Sequence, residues 1–455
     1  MAAGANGMKL YLLVLTLLSL TLHLLFLTSS FHLKYHLVHH RQKPYLAQKK
    51  HSSPIFDFLA ARLEGKEIKI GLVNTHVEEE NKWKELGETT VVHFDRVPKD
   101  RRWEEYFTDW VEEDEKWATP KCPDIPMPSY KSYGEFNVVV VKMPCGNVIQ
   151  RKGIRDVFRL QVNLVAANLA VQSVKINGTD QNLFVVFIGT CGPMWEIFRC
   201  DDLLRHEGDF WIYKPELRRL KQKVLMPVGA CQLAVSPRKH GDGKITYDFT
   251  KLSSPIDHPK EAYVTVIHTS EEYVCGAIVL AQSIVQTNST KDLVLLADES
   301  ITKESRLALR AAGWIIKDIE RIRSPYAETY AYNEWNYSKL RIWQLTEYDK
   351  LIFIDSDFIV LENIDEFFVY PQLSAVRNDE KVIFNSGIML IEPSDCIFEM
   401  LMNERYTLMS YNGGDQVSLK AFEGHIEGQG EGSKARKHGY CVVSSWANEF
   451  LNIRS

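Results

Sequence analysis

KLIFIDSD, residues 350–357, is the stretch whose reading decides the fold. Leu351 to Ile354 form a continuous apolar run, the pattern of a strand buried on both faces in a parallel sheet. Two carboxylates follow at once, Asp355 and Asp357, separated by Ser356. Residues i and i+2 of a strand share a face, so an extended continuation of the run brings both carboxylates to one side. Open α/β sheets bind ligands beyond the carboxyl ends of their strands, where this pair falls. Two carboxylates there repel unless a cation joins them. Mn²⁺ or Mg²⁺ takes oxygen ligands from carboxylates and phosphates, and a nucleoside diphosphate is the natural second party. A lone D-x-D is a common way to solvate a loop; its place after a buried strand gives it weight.

Working outward, AYVTVIHTS (262–270) reads as a strand, and a helix is expected from Glu272 to about Thr287. LVLLAD (293–298) is strand-like and ITKESRLALRAAG (301–313) is a helix closing on a C-terminal glycine. This is a doubly wound α/β alternation. A second one precedes it: EIKIGLVN (67–74), NVVVVKM (137–143), a helix DVFRLQVNLVAANLAVQ (156–172) and LFVVFIG (183–189), read as a unit with parallel strands. A polar stretch with Gly241, Gly243, Pro255 and Pro259 separates the two. The expected plan is an N-terminal tail (1–9), an apolar anchor (10–30), a stem (31–64), an α/β domain (65–250), a second α/β domain (258–423) and an atypical tail (424–455), solvated over 424–437.

The chain has 455 residues, 45% apolar and 25% charged, enough for two or three cores. A net charge of -5 and a pI near 6.3 exclude a basic footprint for nucleic acid. Leu10 to Leu27 is 18 residues without a formal charge, nearly long enough to cross a hydrocarbon core. A cleaved signal peptide competes, but its apolar core is usually about 7–15 residues, so a retained anchor is expected. Lys34, Arg41, Lys43, Lys49 and Lys50 beyond the run argue for a cytoplasmic domain, whereas long domains translocate largely regardless of charge; a lumenal domain is expected. The eight cysteines show no zinc-ligand spacing. Five lie between 122 and 231, which leaves open one or two disulfides or buried free thiols.

Four blocks occur in the order found in glycogenin-like glycosyltransferases of family 8, which the chain resembles: HTSEEYVCGAIVLAQSIVQTN (268–288), YSKLRIWQLTEYDKLIFIDSDFIVLENIDEFF (337–368), FNSGIMLIEPS (384–394) and GGDQ (413–416). CPDIPMP (122–128), RDVFRLQVNLVAANLA (155–170) and EIFRCDDL (196–203) look like the plant branch that adds glucuronic acid to xylan. The resemblance implies a GT-A-type, Rossmann-like nucleotide-sugar domain after a preceding α/β domain and an N-terminal transmembrane helix. It implies that Asp355 and Asp357 bind Mn²⁺, with Mg²⁺ as the alternative, and that they and Ser356 meet the donor diphosphate. It places Lys339 near the donor phosphates or sugar, His268, Thr269 and Tyr273 around the uridine, and Asn385 and Ser386 on the donor sugar. Asp415 and Gln416 stand beside the reacting centre. Without the family, Lys339 is equally well a helix-surface lysine, and His268 and Tyr273 core-edge residues.

The implied reaction is retaining transfer of glucuronic acid from UDP-glucuronate to xylan, by a Golgi enzyme of single-pass type II topology; an oligomer is compatible with it. Retention needs a covalent carboxylate or attack from the leaving-group face, and Asp415 is the carboxylate to examine first. The alternatives are another family 8 UDP-sugar transfer, glucosyl or galacturonosyl, or an inactive membrane-anchored partner that binds UDP-sugar or glycan. After GGDQ the plant branch continues to a motif HxxGxKPW, whose His completes the metal site and whose Lys meets the diphosphate. Neither His425 nor His438 sits in that motif, so weak transfer by this chain is expected.

Overall fold

The computed structural model describes residues 54–63, 67–106, 123–145, 156–173, 183–225, 259–377, 384–406 and 453–454. The expected anchor at 10–27, most of the stem, and Asp415 and Gln416 lie outside them. No helix among the described residues is long and apolar enough to cross a membrane. The chain divides into two compact units, Met1–Phe58 and Leu59–Ser455. A helix, α1 (Pro54–Arg62), is the first described element, and both large sheets lie in the second unit.

In the first sheet β1 (Lys69–Val73) pairs in parallel with β2 (Glu88–Val92) and with β3 (Val138–Lys142), and β3 pairs in parallel with β4 (Phe184–Ile188). A short helix, α2 (Val77–Trp83), links the first two strands. Every residue of FVVFI in β4 is buried, as a strand covered on both faces requires. One cover is α3 (Val157–Gln172), whose first turn is capped by the Asp156 side chain accepting from the Phe158 N–H at 2.8 Å. Polar residues inside this helix are buried because they complete loop backbones. Gln161 donates to the Asp95 and Pro126 carbonyls at 2.8 and 2.6 Å and accepts from the Val97 N–H at 2.8 Å.

The expectation of parallel strands holds for this core and fails at its edge. A hairpin of β5 (Leu203–Glu207) and β6 (Phe210–Tyr213) closes the sheet antiparallel to β4, giving the order β2-β1-β3-β4-β6-β5. A tight turn through Gly208 returns the chain directly, and no crossover helix intervenes. The next helix, α4 (Leu217–Leu225), packs on α3.

The second sheet repeats the plan. β7 (Glu261–Ile267), β8 (Asp292–Ala297) and β9 (Ile315–Asp318) are parallel, joined by α5 (Glu272–Gln286) and α6 (Lys303–Ala311). Thr302 caps α6, and Gly313 takes φ 115° just after it, the left-handed stop expected there. The chain then crosses to the other side of β7, where β10 (Lys350–Ile354) pairs parallel to it. A short β11 (Ile359–Val360) follows, and β12 (Ser374–Arg377) and β13 (Phe384–Ile391) add antiparallel strands, giving the order β12-β13-β10-β7-β8-β9. Here too the outer pair departs from an all-parallel reading. α7 (Asp395–Glu404) follows β13, and β14 (Ile453–Arg454) pairs with β11.

A buried ion cluster joins the elements of the two sheets. Glu392, just past β13, lies 2.8 Å from Arg199 Nη1, 3.5 Å from Lys350 Nζ and 3.8 Å from Arg219 Nε. Lys350, the first residue of β10, also donates to Gln222 of α4 at 2.5 Å. Burial pushes the Lys350 ammonium down to about 8, against the opposing pull of Glu392. Beside this cluster Cys200 pairs with Cys396, 196 residues away, and Cys145 pairs with Cys191. Among the described residues the open choice between disulfides and buried thiols thus resolves as two disulfides, one of them reaching outside the 122–231 window. Cys275 is an exposed free thiol.

Candidate functional site

Strand order in the second sheet reverses between β7 and β10, so their carboxyl ends border the crevice where open α/β sheets take ligands. β10 delivers Asp355 to that crevice and β7 delivers His268 and Thr269. The carboxylate pair does not come from strand alternation, however. β10 ends at Ile354, and Asp355 to Phe358 form a turn in which the Phe358 N–H donates to the Asp355 carbonyl at 3.3 Å. The strand ends there because neighbouring β13 supplies only one more partner: the Asp355 N–H donates to the Gly387 carbonyl at 2.8 Å. In this turn Ser356 is buried, Asp355 half-buried and Asp357 exposed.

Lys339 sits in the 3₁₀ segment Asn336–Gln344, and its Nζ lies 3.1 Å from Asp355 Oδ1 and 3.3 Å from Oδ2. The helix-surface alternative for this lysine is therefore set aside: its side chain is 14% exposed and directed at the carboxylate. Among the described residues, no cluster of three or more His, Cys, Asp or Glu could hold a metal ion.

On the β7 side, His268 Nδ1 lies 2.6 Å from Thr269 Oγ1, and the Ser270 N–H donates to the His268 carbonyl at 2.8 Å. This tight turn places Thr269 at φ 73°, a conformation that costs a β-branched residue about 1–3 kcal/mol. Such strain concentrates where backbone groups must face a ligand. Tyr273, in the first turn of α5, is half exposed. β13 runs antiparallel to β10, so its first residues, among them Asn385 and Ser386, come to the carboxyl end of β10. Ser386 is buried. The structure thus brings His268, Thr269, Tyr273, Lys339, Asp355, Ser356, Asp357, Asn385 and Ser386 to one sheet edge; Asp415 and Gln416 are outside the described residues.

The sequence reading missed the support beneath the turn. Gly276 of α5 faces the Ser356 carbonyl so closely that a Cβ there would stand 2.4 Å from the oxygen. Two helical turns on, Ser283 Oγ accepts from the Val360 N–H at 3.0 Å. α5 is therefore the bed on which residues 356–360 lie. The spacing of a glycine and a serine on one helix face, within EYVCGAIVLAQS, is the signal that could have shown it. Gly276→Ala gains up to about 1 kcal/mol in helix propensity. Overpacking against a backbone oxygen costs about 1–3 kcal/mol, so the variant is expected to be the less stable protein. Urea unfolding checks this, and a higher midpoint for the variant would show that the turn yields freely.

Comparison with known proteins adds the following. Residues 45–231 match the GUX1-5 N-terminal domain, and residues 264–418 match Glycosyl transferase family 8. Over 355 residues the chain is 52% identical to UDP-glucuronate:xylan alpha-glucuronosyltransferase 2 of Arabidopsis thaliana, covering 77% of this chain and 59% of that one. It is 41% identical to UDP-glucuronate:xylan alpha-glucuronosyltransferase 1 of the same plant, covering 77% and 52%. The chain thus spans little more than half the length of these two relatives. Among solved structures, the galactosyltransferase LgtC with donor and acceptor sugar analogs aligns at 18% identity and TM-score 0.28, covering 35% of this chain and 69% of that one.

Proposed function

We propose, from the premise that the chain belongs to glycosyl transferase family 8 and carries a GUX1-5 N-terminal domain ahead of its transferase domain, that it moves glucuronic acid from UDP-glucuronate onto xylan. The observation that carries this reading is the meeting of Lys339 with Asp355 at the sheet's switch point. Asp355, Asp357 and Lys339 together sum to one negative charge (-2 + 1 = -1). A diphosphate brought there adds negative charge that one lysine does not balance, and a divalent cation restores the balance. The oxygen donors present suit Mn²⁺ or Mg²⁺, which Asp355 and Asp357 would hold. When bound, the ion supplies Lewis-acid stabilisation of the departing diphosphate.

The chain's own residues divide the remaining work. Lys339 offers a point charge to the phosphates, and its pairing with Asp355 keeps it aimed until a ligand arrives. The Thr269 turn and Tyr273 flank the uridine, and Asn385 and Ser386 meet the donor sugar. Asp415 and Gln416 are assigned to the reacting centre, as retention of configuration calls for a carboxylate or a leaving-group-face contact there. UDP titrated calorimetrically is expected to bind with Mn²⁺ and to lose affinity when chelator is added or in Asp357→Ala. Affinity unchanged by both would end the cation-bridge reading. Further donors belong in the same experiment, because residues that hold a diphosphate do not by themselves choose the sugar. UDP-glucose and UDP-galacturonate are the comparisons for UDP-glucuronate.

The Golgi lumen is the compartment proposed, with Leu10–Leu27 as the anchor of a type II chain. The disulfides Cys145–Cys191 and Cys200–Cys396 support it, since such bonds persist in oxidising compartments. Asn288, exposed within Asn-Ser-Thr, offers a glycan acceptor. Sealed microsomes are expected to protect residues 65–406 from protease, and glycosidase to increase the chain's mobility. Digestion without detergent would place the domains in the cytoplasm.

A further inference from the structure

Loop 319–335 leaves the carboxyl end of β9, where the Ile319 N–H donates to the Ala297 carbonyl at 3.0 Å, and runs into the segment that carries Lys339. β7, β8, β9 and β10 are parallel, so this loop lies along the same edge of the sheet as Asp355. It presents two aromatic side chains almost wholly to water: Tyr330 is 95% exposed and Tyr332 86%. Large apolar rings left this far out are unusual for a loop that is otherwise built tightly.

The tightness is specific. Glu334, itself buried, accepts from the Tyr330 N–H at 2.8 Å through one carboxylate oxygen and from Arg323 Nε at 2.8 Å through the other. Arg323 also donates to Thr329 Oγ1 at 3.0 Å, and the Ser324 N–H donates to the Glu334 carbonyl at 2.7 Å. Arg321 pairs with buried Asp298 at the end of β8 and lies 4.5 Å over the Trp335 ring. Tyr330 is held at φ 66°, a conformation that a bulky residue avoids unless its surroundings impose it. The loop thus holds its backbone firm beneath two rings that it leaves in solvent.

A ligand for such rings must offer broad, uncharged, partly apolar faces. The C–H face of a pyranose ring fits that description, and its hydroxyl rim stays hydrated while the face stacks on an aromatic ring. A rigid platform binds with little further ordering cost. We propose that Tyr330 and Tyr332 form an acceptor platform, stacking on sugar rings of the polysaccharide outside the unit that reacts. This rests on the reading of the site as a polysaccharide-directed transferase and names its acceptor-binding residues.

The test separates the two. Retention in a native gel containing xylan measures glycan binding without turnover, and calorimetry with UDP and Mn²⁺ measures the donor site. The double variant Tyr330→Ala/Tyr332→Ala is expected to lose tenfold or more in xylan affinity, with UDP affinity within twofold of the parent and an unchanged unfolding midpoint. Tyr330→Phe/Tyr332→Phe, which keeps the rings, is expected to bind xylan as the parent does. The platform is overturned if the alanine variant keeps its xylan affinity, if the phenylalanine variant loses as much as the alanine one, or if the parent is not retained by xylan. A lowered midpoint or a change of oligomeric state in the alanine variant would also overturn it, by showing that the rings pack on the chain or on a second copy. A parent that binds xylan but not UDP removes the transferase reading, and with it the acceptor role, while the two rings stand as a glycan-binding surface.

Discussion

Asp355→Asn is expected to slow sugar transfer by about 10²–10³, the usual loss when one electrostatic contact to a departing group is removed. Two effects oppose each other. The substitution takes away one of two charges available to a divalent cation, and it also releases Lys339 from a carboxylate 3.1 Å away. The freed lysine can then favour the diphosphate, but a partly exposed ion pair is worth only about 0.2–1 kcal/mol, at most about fivefold in UDP affinity. Loss of transition-state stabilisation is the larger quantity, so kcat falls while metal-free UDP affinity holds or rises slightly. Initial rates with UDP-glucuronate and xylan oligomers, alongside UDP calorimetry without metal, measure both. A fall in rate of less than tenfold would mean that Asp355 is not an essential member of the site.

The second large effect concerns stability. Glu392→Ala is expected to destabilise the fold by about 3–5 kcal/mol, because it leaves the buried Lys350 ammonium without its carboxylate and takes one of two carboxylates from Arg199 and from Arg219, which keep Asp201 and Asp202. Burial alone would raise the Glu392 carboxyl, but Lys350, Arg199, Arg219 and Lys223 outweigh it and hold the group at about 2, below its ordinary 4.5. Its contribution is therefore fully present above about 4.5 and is lost as pH falls towards 2. Urea unfolding of the parent between pH 6 and 3 is expected to show this acid limb, and Glu392→Gln is expected to flatten it. A Glu392→Ala midpoint equal to the parent's would show that the cluster is not what joins these elements. The consequence reaches the site, since Lys350 and Asp355 terminate the same buried run: a shift at the cluster moves the strand that carries the carboxylate.

Elements whose residues answer to their neighbours in sequence were legible. Continuous apolar runs at 351–354 and 293–297 became buried strands, and the apolar face of 272–286 became a helix. Gly313 marked a helix end, whereas the capping by Asp156 and Thr302 came from the structure. The antiparallel edges were not legible, because a strand's own pattern does not state the direction of its neighbour. The D-x-D geometry was read from strand alternation and instead comes from a turn, because hydrogen bonding to β13 ends at Asp355. The gathering of the candidate residues at one edge followed from strand order, while the Lys339–Asp355 contact needed coordinates.

By itself, then, the sequence determined the strands within 67–74, 137–143, 183–189, 262–270, 293–298 and 350–357 and the helices within 156–172, 272–287 and 301–313, that two α/β alternations follow one another, and that paired carboxylates stand beyond a buried strand. Those properties arise from periodicity and side-chain chemistry within one element. Only the tertiary structure decided that Cys200 meets Cys396, that cations at 199, 219 and 350 surround Glu392, and that Gly276 makes room for the Ser356 carbonyl. Each of these joins residues that are far apart along the chain, and their proximity follows from how sheets and helices pack, which no local pattern encodes.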